Sequence, residues 1–125
     1  MDGEITPDEV ERLLAEDADV RVVDIRSPGA YERGHIPGSE NVPFQDLPDR
    51  VASLTGSEHI VTVCPHGKAS VQAANLITSF EGTTEARVES MAGGLEAWDG
   101  ELEAGAGDDE PADAREADEG PQSPF

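Results

Sequence analysis

The 125-residue chain has one cysteine, five aromatic residues and only eight lysines and arginines. A lone cysteine cannot build a disulfide framework. One Cys with three scattered His also offers no paired-ligand spacing for a structural zinc, so neither a metal nor any other cofactor is implied. No apolar run approaches about 18 residues, and no charged segment leading into an apolar core opens the chain, so the sequence predicts neither a membrane span nor a signal peptide. The expected location is cytoplasmic. With 28 acids the formal net charge is −20, which excludes nucleic acid and anionic lipid surfaces as partners, because phosphate binding needs Lys and Arg. Solubility alone is one reason for such acidity. The sharper expectation is a cytoplasm of very high salt, where a Debye length of about 3 Å screens self-repulsion.

What is present is unevenly spread. Leucine, isoleucine, valine and phenylalanine are concentrated in the first 100 residues, whereas 101–125 hold only Leu102 and Phe125 among nine acids and one base. That contrast predicts a folded domain over residues 1–100 and a disordered, functionally quiet acidic tail over 101–125. Within the domain, Thr6-Pro7-Asp8-Glu9 reads as a capped helix start, with Val10, Leu13 and Leu14 at helical spacing to about Asp17. Val20–Ile25 reads as a strand ended by Ser27-Pro28-Gly29, with Asp24 at its C-terminal end. A turn of helix at Tyr31–Arg33, a Gly34-His35-Ile36-Pro37-Gly38 loop, an extended piece at Asn41-Val42 and a helix over Pro48–Leu54 follow. His59–Val63 is the second clear strand, Ala69–Phe80 a helix, Ala86–Glu89 a third strand, and Leu95–Gly100 a final helix whose Trp98 closes the core. Strands separated by helices imply a parallel α/β sheet with ligands outside the strand carboxyl ends, where Asp24 and Cys64 both fall.

Cys64 stands where a strand passes through a loop into a helix. A thiol reacts as its thiolate, and the N-terminus of a helix offers unpaired N–H groups and a positive dipole end to such an anion. Gly67 lets the Pro65-His66-Gly67-Lys68 loop curl so that successive N–H groups point inward as an anion nest. Lys68 adds a mobile cation and Ser70 a hydroxyl. A buried structural cysteine is the ordinary alternative, but Cys64 is followed by Pro-His-Gly-Lys and not by more apolar strand, which favours the functional reading.

Three segments carry a family resemblance. Val23-Asp24-Ile25-Arg26 with Ser27-Pro28, Tyr31 and Gly34-His35-Ile36-Pro37-Gly38-Ser39-Glu40-Asn41-Val42-Pro43 form the first. The loop Cys64-Pro65-His66-Gly67-Lys68-Ala69-Ser70 is the second, and Gly93-Gly94-Leu95 with Trp98 the third. In this order and spacing, over roughly residues 4–100, the chain resembles the single-domain rhodanese-like sulfurtransferases. The resemblance implies one rhodanese-like α/β domain, a central parallel sheet with helices on both faces. It also implies a ping-pong reaction, in which Cys64 takes a sulfane sulfur from a donor as a persulfide and passes it to a thiophilic acceptor, cyanide in the test tube or a thiol in the cell. Cys64 is then the nucleophile, and His66, Gly67, Lys68, Ala69 and Ser70 form the anion-binding loop, to which Pro65 has no N–H to give.

Many relatives carry an arginine where this chain has Ala69, and an acid where it has Ala30. The resemblance implies a thiosulfate sulfurtransferase-like enzyme whose partner is a small anionic sulfur donor or a protein persulfide donor. Without a fixed guanidinium, bidentate oxyanion binding is weaker, so thiosulfate is expected to bind poorly and a protein or low-molecular-weight persulfide to be the donor. The competing expectation is a sulfur-carrier or protein-binding module that keeps the fold without turning over small donors. A phosphate or arsenate ester enzyme is a third, which would need a cation the loop does not fix. Asp24 and Arg26 are read as supporting residues, the acid bonding loop N–H groups and the base pairing with a carboxylate. His35 is expected to be satisfied by backbone, His66 to line the pocket or lie exposed on the loop, and His59 to lie on the surface. The chain is expected to act as a monomer or weak dimer.

Overall fold

A computed structural model describes residues 3–16 and 18–105. The expected helix end at Asp17 and the acidic tail from residue 106 lie outside the described residues. The elements in chain order are β1 (Glu4–Ile5), α1 (Pro7–Ala15), β2 (Arg21–Asp24), α2 (Pro28–Arg33), β3 (Glu40–Asn41), α3 (Leu47–Arg50), β4 (His59–Val63), α4 (Ala69–Thr78) and β5 (Arg87–Met91). Short 3₁₀ turns cover Phe44–Asp46, Val51–Leu54, Glu81–Thr83 and Gly94–Ala97. The five strands form one sheet in the order β1-β5-β4-β2-β3, every pair parallel.

The local chemistry explains the starts of the helices. Thr6 caps α1, its hydroxyl accepting from the Glu9 amide at 3.2 Å, and Pro7 occupies the first turn, where its missing N–H costs nothing. Ser27 and Pro28 repeat the device at α2. On one face of the sheet Val10, Leu13 and Leu14 of α1 pack with Val22, Val61, Val63, Met91, Leu95 and Trp98. On the other, Leu47, Val51, Leu54, Ala73, Ala74 and Ile77 pack on Val23, Ile25, Ile60 and Val88. Helices on both faces around alternating strand residues are the only way a parallel sheet buries both sides. Because β2 connects outward to β3 while β4 connects the other way to β5, a crevice opens between the carboxyl ends of β2 and β4. Cys64 follows β4 at that crevice.

Several details differ from the sequence reading. β1 was not anticipated. The helix expected over Pro48–Leu54 is α over Leu47–Arg50 and 3₁₀ over Val51–Leu54, and the final helix is a 3₁₀ turn over Gly94–Ala97, because Gly93 and Gly94 hold left-handed φ values before it and Trp98 is already extended after it. His59 is half-buried, not a free surface residue: its Nε2 lies 2.7 Å from Oε1 of buried Glu89, which also accepts from Arg87 at 3.1 Å. Beyond residue 100, Glu103 pairs with His35 through reciprocal backbone bonds of 2.9 and 2.7 Å.

Candidate active site

The sulfur of Cys64 is enclosed by its own loop. Gly67 N–H donates to Sγ at 3.0 Å and Ser70 N–H at 3.3 Å, while Ser70 Oγ stands 3.3 Å from Sγ. The amides reach the sulfur because Gly67 takes φ +84°, turning the chain back over the cysteine as α4 begins. Burial pushes the Cys64 thiol up, but the Ser70 hydroxyl and the Ser70, Gly67 and His66 amides outweigh it, so the pKa lies below the ordinary thiol value. The residue is only 2% exposed.

The loop is gripped from outside by the Gly93-Gly94 turn. Leu95 N–H donates to Cys64 O at 2.9 Å and Glu96 N–H to Pro65 O at 3.1 Å. The approach is so close that a Cβ on Gly94 would meet Cys64 O at 2.4 Å, and one on Gly67 would meet Gly93 N at 2.8 Å.

The residues singled out from sequence divide into two groups. Cys64, Gly67 and Ser70 converge on the sulfur. His66, Lys68 and partly buried Ala69 lie on the rim, with His66 Nδ1 3.2 Å from Glu96 Oε1 and Lys68 exposed at the start of α4. Asp24 and Arg26 are not in the cradle. Buried Asp24 accepts from the Arg26 backbone N–H at 3.0 Å and from its guanidinium at 2.7 to 3.2 Å, and Arg26 also donates to Gly34 O at 2.7 Å. Asn41 Nδ2 then donates to the carbonyls of Asp24 and Arg26, so this pair braces the β2–α2 corner beside the crevice. His35 stacks on Tyr31, with Nδ1 2.8 Å from Tyr31 O. Two contacts of the loop were not read from sequence. Glu96 is an exposed acid in an unremarkable position. Ser90 comes from the distant strand β5, and its only sequence signal is a small hydroxyl residue two places after buried Val88.

Among the described residues no group of three or more His, Cys, Asp or Glu is placed to hold a metal ion, and no helix is long and apolar enough to cross a membrane.

Comparison with known proteins places these features in a context. Residues 6–101 match the family model of the rhodanese-like domain. Thiosulfate sulfurtransferase GlpE of Pseudoalteromonas translucida is 36% identical over 86 residues, covering 69% of this chain and 79% of that protein. A sulfurtransferase of Allochromatium vinosum is 33% identical over 99 residues, covering 78% and 89%. Among solved structures, a rhodanese-like domain protein from Staphylococcus aureus superimposes with a TM-score of 0.67 at 28% identity, covering 83% and 98% of the two chains.

Proposed function

We propose, from the premise that this chain belongs to the rhodanese-like family, that it is a sulfurtransferase working through a persulfide on Cys64. The observation that carries the reading is the sulfur itself, held by two backbone amides at 3.0 and 3.3 Å with its pKa lowered despite burial. Such a site keeps a thiolate ready without a general base.

The reaction balances without any redox partner. The Cys64 thiolate attacks the sulfane sulfur of a donor; with thiosulfate, the donor's S–S bond breaks and sulfite leaves with the bonding pair. The new Cys64–S–S⁻ carries the charge on its outer sulfur, which the amides of the His66–Ser70 loop bind as they would any anion. An acceptor nucleophile then takes that outer sulfur, the second S–S bond breaks and the Cys64 thiolate is restored. With cyanide the product is thiocyanate.

Ala69 supports a second reading of the donor. No guanidinium is fixed at this loop position, and the rim pairs His66 with Glu96, so a dianionic donor finds little to hold its oxygens. A persulfide carried on a thiol or a protein needs only the sulfur to enter the cradle. On this reading the chain is a sulfurtransferase that loads from persulfide and turns over thiosulfate slowly.

Thiocyanate release with thiosulfate and with a low-molecular-weight persulfide, each with cyanide as acceptor, tests both. Cys64→Ser is expected to fold as the parent does and to lose transfer from either donor by at least about a thousandfold, the scale of losing a covalent nucleophile. Transfer that survives in Cys64→Ser would overturn the persulfide mechanism. Faster turnover from persulfide than from thiosulfate favours a persulfide donor, the reverse favours a thiosulfate enzyme, and a folded protein that turns over neither favours the carrier.

A further inference from the structure

Against the sulfur stand two hydroxyls in series. Ser70 Oγ lies 3.3 Å from Cys64 Sγ, and Ser90 Oγ lies 2.7 Å from Ser70 Oγ. Both serines are fully buried. Ser70 comes from the first turn of α4 and Ser90 from β5, where it pairs in register with Thr62 of β4. Thr62 Oγ1 in turn donates to Ser70 O at 2.7 Å, which fixes the backbone that carries the Ser70 hydroxyl.

In the thiol, Cys64 Sγ–H donates to Ser70 Oγ. In the thiolate the sulfur has no proton and can only accept, and there the direction of the hydrogen bonds follows from counting protons. A serine hydroxyl has one proton to give and two lone pairs to receive. If Ser70 gave its proton to Ser90, the Ser90 proton would have no acceptor among its contacts, and the sulfur would lose its one hydroxyl donor. An unmet buried donor is expensive. The opposite order uses every proton: Ser90 donates to Ser70, and Ser70 donates to the sulfur. Hydroxyls chained this way polarise one another toward the terminal acceptor.

We propose that Ser90 is a positioning residue that holds the Ser70 hydroxyl proton on the Cys64 sulfur. The assignment rests on Cys64 being the reacting nucleophile. In the discharge step the Cys64 sulfur departs as an anion from the outer sulfur, so a donor held on it stabilises the leaving group; in the loading step the same donor keeps the thiolate populated. The ionisable and charged groups of the loop and of the Gly94–Ala97 turn that grips it are Lys68, His66 and Glu96, all exposed. The sulfur itself is served by hydroxyls and amides. On β5 the neighbouring Glu89 is engaged by His59 and Arg87.

The test is the ultraviolet titration of the thiolate, which reports one group because the chain has a single cysteine, in the parent, Ser70→Ala, Ser90→Ala and the double variant, with thermal melts of each. Ser70→Ala is expected to raise the midpoint by about one pH unit, the worth of a hydrogen bond to a charged sulfur. Ser90→Ala should raise it by roughly half as much, and the double variant should match Ser70→Ala, because Ser90 acts only through Ser70. An unchanged midpoint in folded Ser90→Ala overturns the proposal, as does a Ser90→Ala shift that persists undiminished without Ser70. Should Ser90→Ala not fold, Ser90→Thr and Ser90→Val match in shape and differ in the hydroxyl: the threonine is expected to titrate like the parent and the valine higher, and equal midpoints refute the relay. The titration needs no sulfur donor, so a failed relay is distinguished from a failed sulfurtransferase.

Discussion

At residue scale the site depends on atoms that are missing as much as on those present. Gly94 takes φ +66° with its α-carbon against the Cys64 and Pro65 carbonyls, so any side chain there meets backbone that cannot move without opening the cradle. Gly94→Ala is therefore expected to destabilise the domain by about 2–4 kcal/mol and to reduce alkylation of Cys64 at neutral pH, measured by denaturant melts and iodoacetamide kinetics; parent-like values in both would show that the turn does not hold the loop. The lowered Cys64 pKa also has a thermodynamic sign. Between the folded pKa and the ordinary thiol pKa the unfolded chain binds the extra proton, so this group makes stability rise with pH across that window and is fully stabilising above it. Comparing the pH dependence of unfolding in the parent and in Cys64→Ser isolates this contribution, which should vanish in the serine variant. The cysteine loop was legible in the sequence because nucleophile, glycine and helix start are contiguous. Ser90 was not, because only strand register brings it to Ser70.

At the scale of elements, local chemistry and long-range pairing divide what a sequence shows. β4 falls on the expected His59–Val63, since five residues with β-branched alternation and a polar loop on each side leave little choice. β1 has two residues, too few for any periodicity, and exists because Glu4 and Ile5 find Ser90 and Met91 at the sheet edge. In sequence His59 looks like a surface residue because the acid that engages it, Glu89, lies 30 positions away. The β2–α2 corner is the element that most needs its ion pair: Asp24 is 1% exposed and Arg26 spans from it to Gly34. Removing the guanidinium leaves a buried charge unmatched. Arg26→Ala is expected to cost about 3–5 kcal/mol, as for other broken buried pairs, with most of the loss recovered in Asp24→Asn/Arg26→Ala; a cost under about 1 kcal/mol by urea unfolding would show the pair to be screened by water.

At the scale of the whole molecule, a net charge of −20 on 125 residues is the dominant physical fact. Acids are spread along residues 1–100 as well as 101–125, and of the seven arginines Arg12, Arg21, Arg26 and Arg87 are already engaged with Glu9, Glu16, Glu40, Asp24 and Glu89. Self-repulsion therefore opposes compaction unless salt screens it. Raising potassium chloride from about 0.1 M to about 2 M is expected to raise the melting temperature by at least about 5 °C, the shift of roughly 1 kcal/mol in a domain this size; a transition indifferent to salt would remove the case for a high-salt setting. The same field repels a dianionic donor in dilute buffer, so sulfur transfer from thiosulfate should also be favoured by salt.

All of these effects converge on one covalent species. The most direct measurement is the intact mass of the full chain in high salt after incubation with thiosulfate and, separately, with a low-molecular-weight persulfide. The account predicts a gain of about 32 Da, one sulfur atom, on Cys64 with at least one donor, lost on adding cyanide as thiocyanate appears. A folded protein whose thiol remains free and unmodified with both donors would contradict it.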